Sequence, residues 1–143
     1  MAIKVNEQQL EQIRRHGEAT YPYECCGFLL GVRENETNIL AEVQQAQNER
    51  TDSRETRYLI TPEQYKQADD YARSRGLGII GYYHSHPDHP AAPSGYDLDH
   101  SCWPGESYII VAVEQGRSAA LNSFTKPDYT HFEQEEILVE NSH

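Results

Sequence analysis

The stretch that most constrains this chain runs from Leu77 to Asp97. Leu77-Gly-Ile-Ile-Gly-Tyr-Tyr is an apolar run bounded by glycine and rich in β-formers, so residues 77–86 read as a buried strand. Strand side chains alternate, which puts His84 and His86 on one face and turns Ser85 to the other. Pro87, Pro90 and Pro93 then break regular structure and stiffen a loop. Ser94 is a candidate N-cap for a helix from Gly95 to about Cys102, with Asp97 on the same side of its first turn. Two imidazoles and one carboxylate can therefore meet at one cation. Three protein ligands is the number a catalytic zinc uses when its fourth position is kept for water.

Each fragment also has a plainer use. Ser-x-x-Asp before a helix serves as a capping arrangement, in which Asp97 favours the positive helix end. A histidine at a strand end serves equally as a hydrogen-bonded core or loop residue. The joined pattern, four polar residues at set spacings after an apolar strand, favours the metal.

His84-Ser85-His86-Pro87, six residues, Ser94, two residues, Asp97 resembles the signature of the JAMM metalloproteases, the MPN or Mov34/PAD-1 family. Tyr21-Pro-Tyr-Glu-Cys-Cys-Gly-Phe-Leu-Leu-Gly31 is similar to the segment that carries the family's catalytic glutamate, and this aligns Glu24 with it. Asn48 and Arg57–Pro62 resemble further parts of the small prokaryotic members, including the sulfur-carrier peptidases. The likeness covers roughly residues 5 to 125.

The resemblance implies a fold similar to the cytidine deaminases and a zinc-dependent peptidase or isopeptidase. It implies as substrate a protein or adduct joined to the C-terminus of a ubiquitin-like or sulfur-carrier protein. It also assigns Ser94 to stabilising the developing oxyanion, although capping explains a serine there as well.

Hydrolysis needs a base that is not itself holding the metal. Glu24 stands at the mouth of an apolar strand, where a charge is out of place unless it faces a cavity; a solvated strand end is the alternative. Glu18 is weaker because it trails a helix end. His89 is expected to face solvent, and His100, one turn beyond Asp97, to orient that carboxylate.

Length and composition narrow the setting. A chain of 143 residues with 37% hydrophobic content suits one domain, 1–143. The net charge of −11 argues against a nucleic-acid partner, since there is no basic field to meet phosphates. No apolar run approaches the ~20 residues that cross a bilayer, and no signal-peptide pattern opens the chain. A cytoplasmic enzyme without a membrane partner is expected. The odd count of three cysteines, Cys25, Cys26 and Cys102, then suits buried reduced thiols, with a bond from Cys102 to one of the other two as the alternative.

In chain order, Asn6 caps a helix with Gln9 at its third position, ending near Gly17. Strands follow over 25–31 and 38–45, separated by polar turn material from Arg33 to Asn38. Gln47 to Thr56 is a charged loop and 57–61 a short strand. Thr61-Pro62 starts a helix running to about Arg75, with Tyr65, Ala68 and Ala72 inward. After the metal strand, 108–113 and 118–124 form a hairpin about Gln115-Gly116, and 129–139 holds a last strand or short helix. Parallel crossovers mixed with hairpins predict an α/β fold: a single domain with a mixed, curved sheet flanked by helices.

Three rival readings share part of the pattern. A metal-free MPN scaffold that only assembles partners would lack motif residues, all of which are here. A zinc nucleobase deaminase needs His-x-Glu and Pro-Cys-x-x-Cys, which are absent. RadC-like proteins share the His-x-His-Pro and Ser-x-x-Asp spacing but match the glutamate segment and the short length less well.

Overall fold

The computed structural model describes residues 2–48, 60–94, 106–127 and 131–140. Ile3 and Val5 alternate with polar neighbours and bury themselves in strand β1, Ala2–Asn6. Asn6 then ends the strand and starts helix α1, Glu7–Thr20. Its side chain accepts from the Gln9 backbone while the Gln9 side chain accepts from the Asn6 N–H, both at 2.9 Å. The helix therefore begins where the capping pair requires, and it runs three residues past Gly17. Leu10, Ile13 and Gly17 form its buried stripe.

Strands β2, Cys26–Glu34, and β3, Thr37–Ala46, make a hairpin about Asn35, whose φ of 56° suits asparagine. The turn material expected over 33–38 is thus shorter, because Arg33 and Asn38 pair across the ladder. Helix α2, Pro62–Ser74, has Thr61 as its N-cap and stops before Gly76, which takes φ 72°. Ala68 and Ala72 are buried as expected, but Tyr65 stays 36% exposed, its ring in T-shaped contact with Phe28. Of the strand expected over 57–61, residues 57–59 lie outside the described set, and Ile60 and Thr61 are not in a strand.

The remaining strands are β4, Gly78–Pro87; β5, Ser107–Glu114; β6, Arg117–Thr125; and β7, Glu133–Glu140. Gln115 and Gly116 turn β5 into β6 with positive φ at both, the twist that a two-residue hairpin needs. The strand order is β1-β3-β2-β4-β5-β6-β7, and β1 pairs in parallel with both β3 and β7. The sheet is mixed, as expected, but it closes into a barrel. An open curved sheet omits β1, and β1 is what supplies the closure.

Two apolar layers lie on opposite faces of this sheet. On the α1 side, Leu10 and Ile13 pack with Ile3, Leu29, Tyr83, Ile109 and Val111. On the α2 side, Ala68 and Ala72 meet Phe28, Leu30, Tyr82 and Tyr108. The alternation along β4 therefore sends Tyr83 and Ser85 toward α1, and Tyr82, His84 and His86 to the other face. Among the described residues no helix is long and apolar enough to cross a membrane.

Candidate metal centre

The centre of interest is the C-terminal end of β4. Register sets His84 opposite Cys26 of β2 on one side and opposite Ile110 of β5 on the other. His86 sits beside Ala112. Both imidazoles are buried, at 2% and 6% exposure. Their Nε2 atoms stand 3.1 Å apart.

His86 is oriented from behind. Its Nδ1 lies 2.8 Å from the Pro90 carbonyl, which can only accept, so Nδ1 carries the proton and Nε2 is left to ligate. From the sequence Pro90 stands only as a loop-stiffening residue; that its carbonyl meets His86 is a finding of the structure. The only signal was the proline spacing that bends residues 87–93 back over the strand end.

Glu24 lies two residues before β2. Ser85, on the opposite face from the histidines as expected, accepts from the Cys25 N–H through its hydroxyl at 2.8 Å and donates its own N–H to the Cys25 carbonyl at 3.2 Å. Asn48 adds a bond from its side-chain amide to the Glu24 carbonyl, at 3.2 Å. These contacts carry the pairing of β2 with β4 past the strand's start and hold Glu24 over the histidines. The carboxylate is 97% buried, with 3% exposure. One ligand atom from each of Glu24, His84 and His86 lies within 4.8 Å of the others. Two neutral nitrogens and a buried carboxylate at that spacing are a donor set for a divalent cation.

Gly27 makes room beneath the site. A Cβ there would overlap the edge of the Tyr83 ring. Burial lowers the His16 pKa and raises that of the Tyr83 phenol, and the two share a hydrogen bond between His16 Nδ1 and the Tyr83 hydroxyl at 2.8 Å. Cys25 and Cys26 are buried thiols, and burial pushes Cys25 up to about 12, which leaves it inert as a nucleophile.

The other candidates divide. Asp97, His100 and Cys102 lie outside the described residues, as does the helix expected from Gly95. Ser94 is exposed at the end of the proline loop, and His89 is exposed as expected. Glu18 is engaged elsewhere: its carboxylate accepts from the Ser118 N–H at 2.8 Å and anchors α1 to the β5–β6 hairpin.

Comparison with known proteins identifies a family. The family model described as prokaryotic homologs of the JAB domain matches residues 6–124. Desampylase from Haloferax volcanii is 28% identical over 120 residues, covering 84% of each chain. A probable TtuB-protein conjugate cleaving protease from Thermus thermophilus is 35% identical, over 85% of this chain and 77% of its own. A JAB1/MPN domain protein from Archaeoglobus fulgidus superposes with a TM-score of 0.64 over 97% of this chain and 98% of its own. At 19% identity that structure speaks to the fold alone. The chain belongs to the family of prokaryotic JAB-domain homologs.

Proposed function

We propose that this protein is a zinc-dependent isopeptidase or peptidase that cleaves at the C-terminus of a ubiquitin-like or sulfur-carrier protein. The observation that carries the reading is the convergence of Glu24, His84 and His86 within 4.8 Å in a buried site. The relatives named for conjugate cleavage support the substrate class.

In this reading His84, His86 and Asp97 hold the ion and Glu24 is left over as the base. When bound there, zinc supplies Lewis acidity. Glu24 takes a proton from the attacking water and returns it to the leaving amine. Its burial suits that task, because it holds the carboxylate beside the histidines and out of bulk water. Pro90 keeps the His86 Nε2 lone pair aimed at the ligand position. The Ser94 hydroxyl donates to the carbonyl oxygen as it gains charge.

A carrier's glycine-rich tail fits such a site, since it brings a terminal carbonyl without side chains that would clash on approach. The test is incubation of zinc-loaded protein with a carrier bearing a C-terminal extension, with a chelator control and mass spectrometry of the products. Cleavage after the carrier's terminal glycines is expected, with casein left largely intact. Cleaved casein beside an intact carrier fusion would overturn the substrate class.

A further inference from the structure

Asp88 lies two residues past His86, on the surface, with φ 56°. Its backbone N–H donates to the Val113 carbonyl at 2.7 Å, which fixes its place on β5. Its two carboxylate oxygens then serve different elements. Oδ1 accepts from the Gln115 N–H of the β5–β6 turn at 2.8 Å, and Oδ2 accepts from the Tyr21 hydroxyl at 2.6 Å. Tyr21 is the residue at which α1 ends and the segment toward Glu24 begins. On its other side Asp88 starts the short loop whose Pro90 carbonyl orients His86.

We propose that Asp88 is a positioning residue that clamps the Glu24 segment and the His86 loop to one rigid hairpin. Three groups that must agree in position come from separate parts of the chain: Glu24 from just before β2, His86 from the end of β4, Pro90 from the loop. Register fixes the strands, but Tyr21–Glu24 and Asp88–Pro90 lie beyond the ladders. The Asp88 carboxylate joins the first extension, at Tyr21, to the β5–β6 turn, while Asp88 itself begins the second. It acts through Tyr21 on Glu24 and through its own loop on His86.

The inference rests on the hydrolytic reading of the site, but its test does not depend on turnover alone. Asp88→Gly removes the side chain and keeps the positive φ without strain, so it is the cleaner deletion. Asp88→Asn keeps both contacts, with its oxygen accepting from Gln115 and its amide donating to the Tyr21 hydroxyl. Tyr21→Phe breaks only the arm toward Glu24. The measurements are zinc affinity by chelator competition, amide exchange over residues 21–25 and 87–92, and kcat and KM on the carrier fusion.

Asp88→Gly is expected to weaken zinc binding by about tenfold or more, to speed exchange in both segments and to lower kcat with little change in KM. Tyr21→Phe should keep zinc affinity, speed exchange over 21–25 and lower kcat. Asp88→Asn should stay near wild type in every measure. Wild-type zinc affinity and exchange in Asp88→Gly would overturn the clamp, and so would an Asp88→Asn variant as impaired as Asp88→Gly. If the fusion is not cleaved by any form, the hydrolytic reading fails while affinity and exchange still decide the clamp.

Discussion

His84 Nε2 and His86 Nε2 face each other at 3.1 Å, while His86 Nδ1 is committed to the Pro90 carbonyl. With Nδ1 donating to Pro90, His86 turns its Nε2 toward His84. Two imidazoles turned this way share either a proton or a cation. The Glu24 carboxylate beside them makes a cation the better partner.

That relationship predicts the metal content. Purified protein should hold about one zinc per chain, and His84→Ala or His86→Ala should lose it. Asp97→Ala separates two versions of the site. If Asp97 is the third ligand, its loss should lower zinc content sharply. If Glu24 fills that position instead, Asp97→Ala should keep its zinc in elemental analysis.

Glu24→Gln tests the same division from the other side. The amide preserves size and hydrogen bonding but cannot take a proton. Zinc should remain near wild-type occupancy while turnover falls by ~10²–10⁴. Loss of zinc would make Glu24 a ligand, and unchanged turnover would place the base elsewhere. Ser94→Ala should keep zinc and lose ~10²–10³ in kcat, the scale of one oxyanion donor.

The local signals of this chain were readable because each is satisfied within a few residues. Asn6 with Gln9, Thr61 with Pro62, and Gln115 with Gly116 set two helix starts and one turn through short-range bonds and fixed dihedrals. The histidine pair follows from strand alternation alone. Barrel closure does not, because it pairs the two ends of the chain: Ile3 with Ile137 and Val5 with Val139. Five residues are too few to announce β1 against the helix that follows. Glu133-Gln-Glu-Glu reads as strand or helix until β1 and β6 claim its edges.

The site divides in the same way. Glu24 could be singled out as a charge before an apolar run, but its distance from the histidines depends on the pairing of Cys26 with His84. The contact between Tyr21 and Asp88 spans 67 residues, and nothing in either residue's neighbourhood signals it.

Gly27 tests the packing under the site. Tyr83 is fully buried, with 0% exposure, and its hydroxyl is held by His16, so its ring cannot swing away from an added methyl. Gly27→Ala should therefore destabilise the protein by about 1–3 kcal/mol in urea unfolding. Combining it with Tyr83→Ala should cost less than the sum of the two single changes, because the overlap is removed. A Gly27→Ala protein as stable as wild type would refute this account of the glycine.

Glu106 supplies a pH dependence away from the metal. It stands just before β5, where burial raises its carboxyl to about 7 against the opposing effects of Arg33 and a hydrogen bond from Tyr82. Between the ordinary carboxylate pKa and about 7, the folded protein keeps a proton there that the unfolded chain has released. Stability should accordingly fall as pH rises through this window, since ionising the buried group costs more folded than unfolded. After allowance for its partial exposure, the effect is about 1–2 kcal/mol. Glu106→Gln cannot ionise and removes this dependence. Urea unfolding of the two proteins should give similar stabilities at about pH 4 and a more stable variant at about pH 8. A stability difference that stays the same at both pH values would mean that Glu106 titrates normally in the folded state.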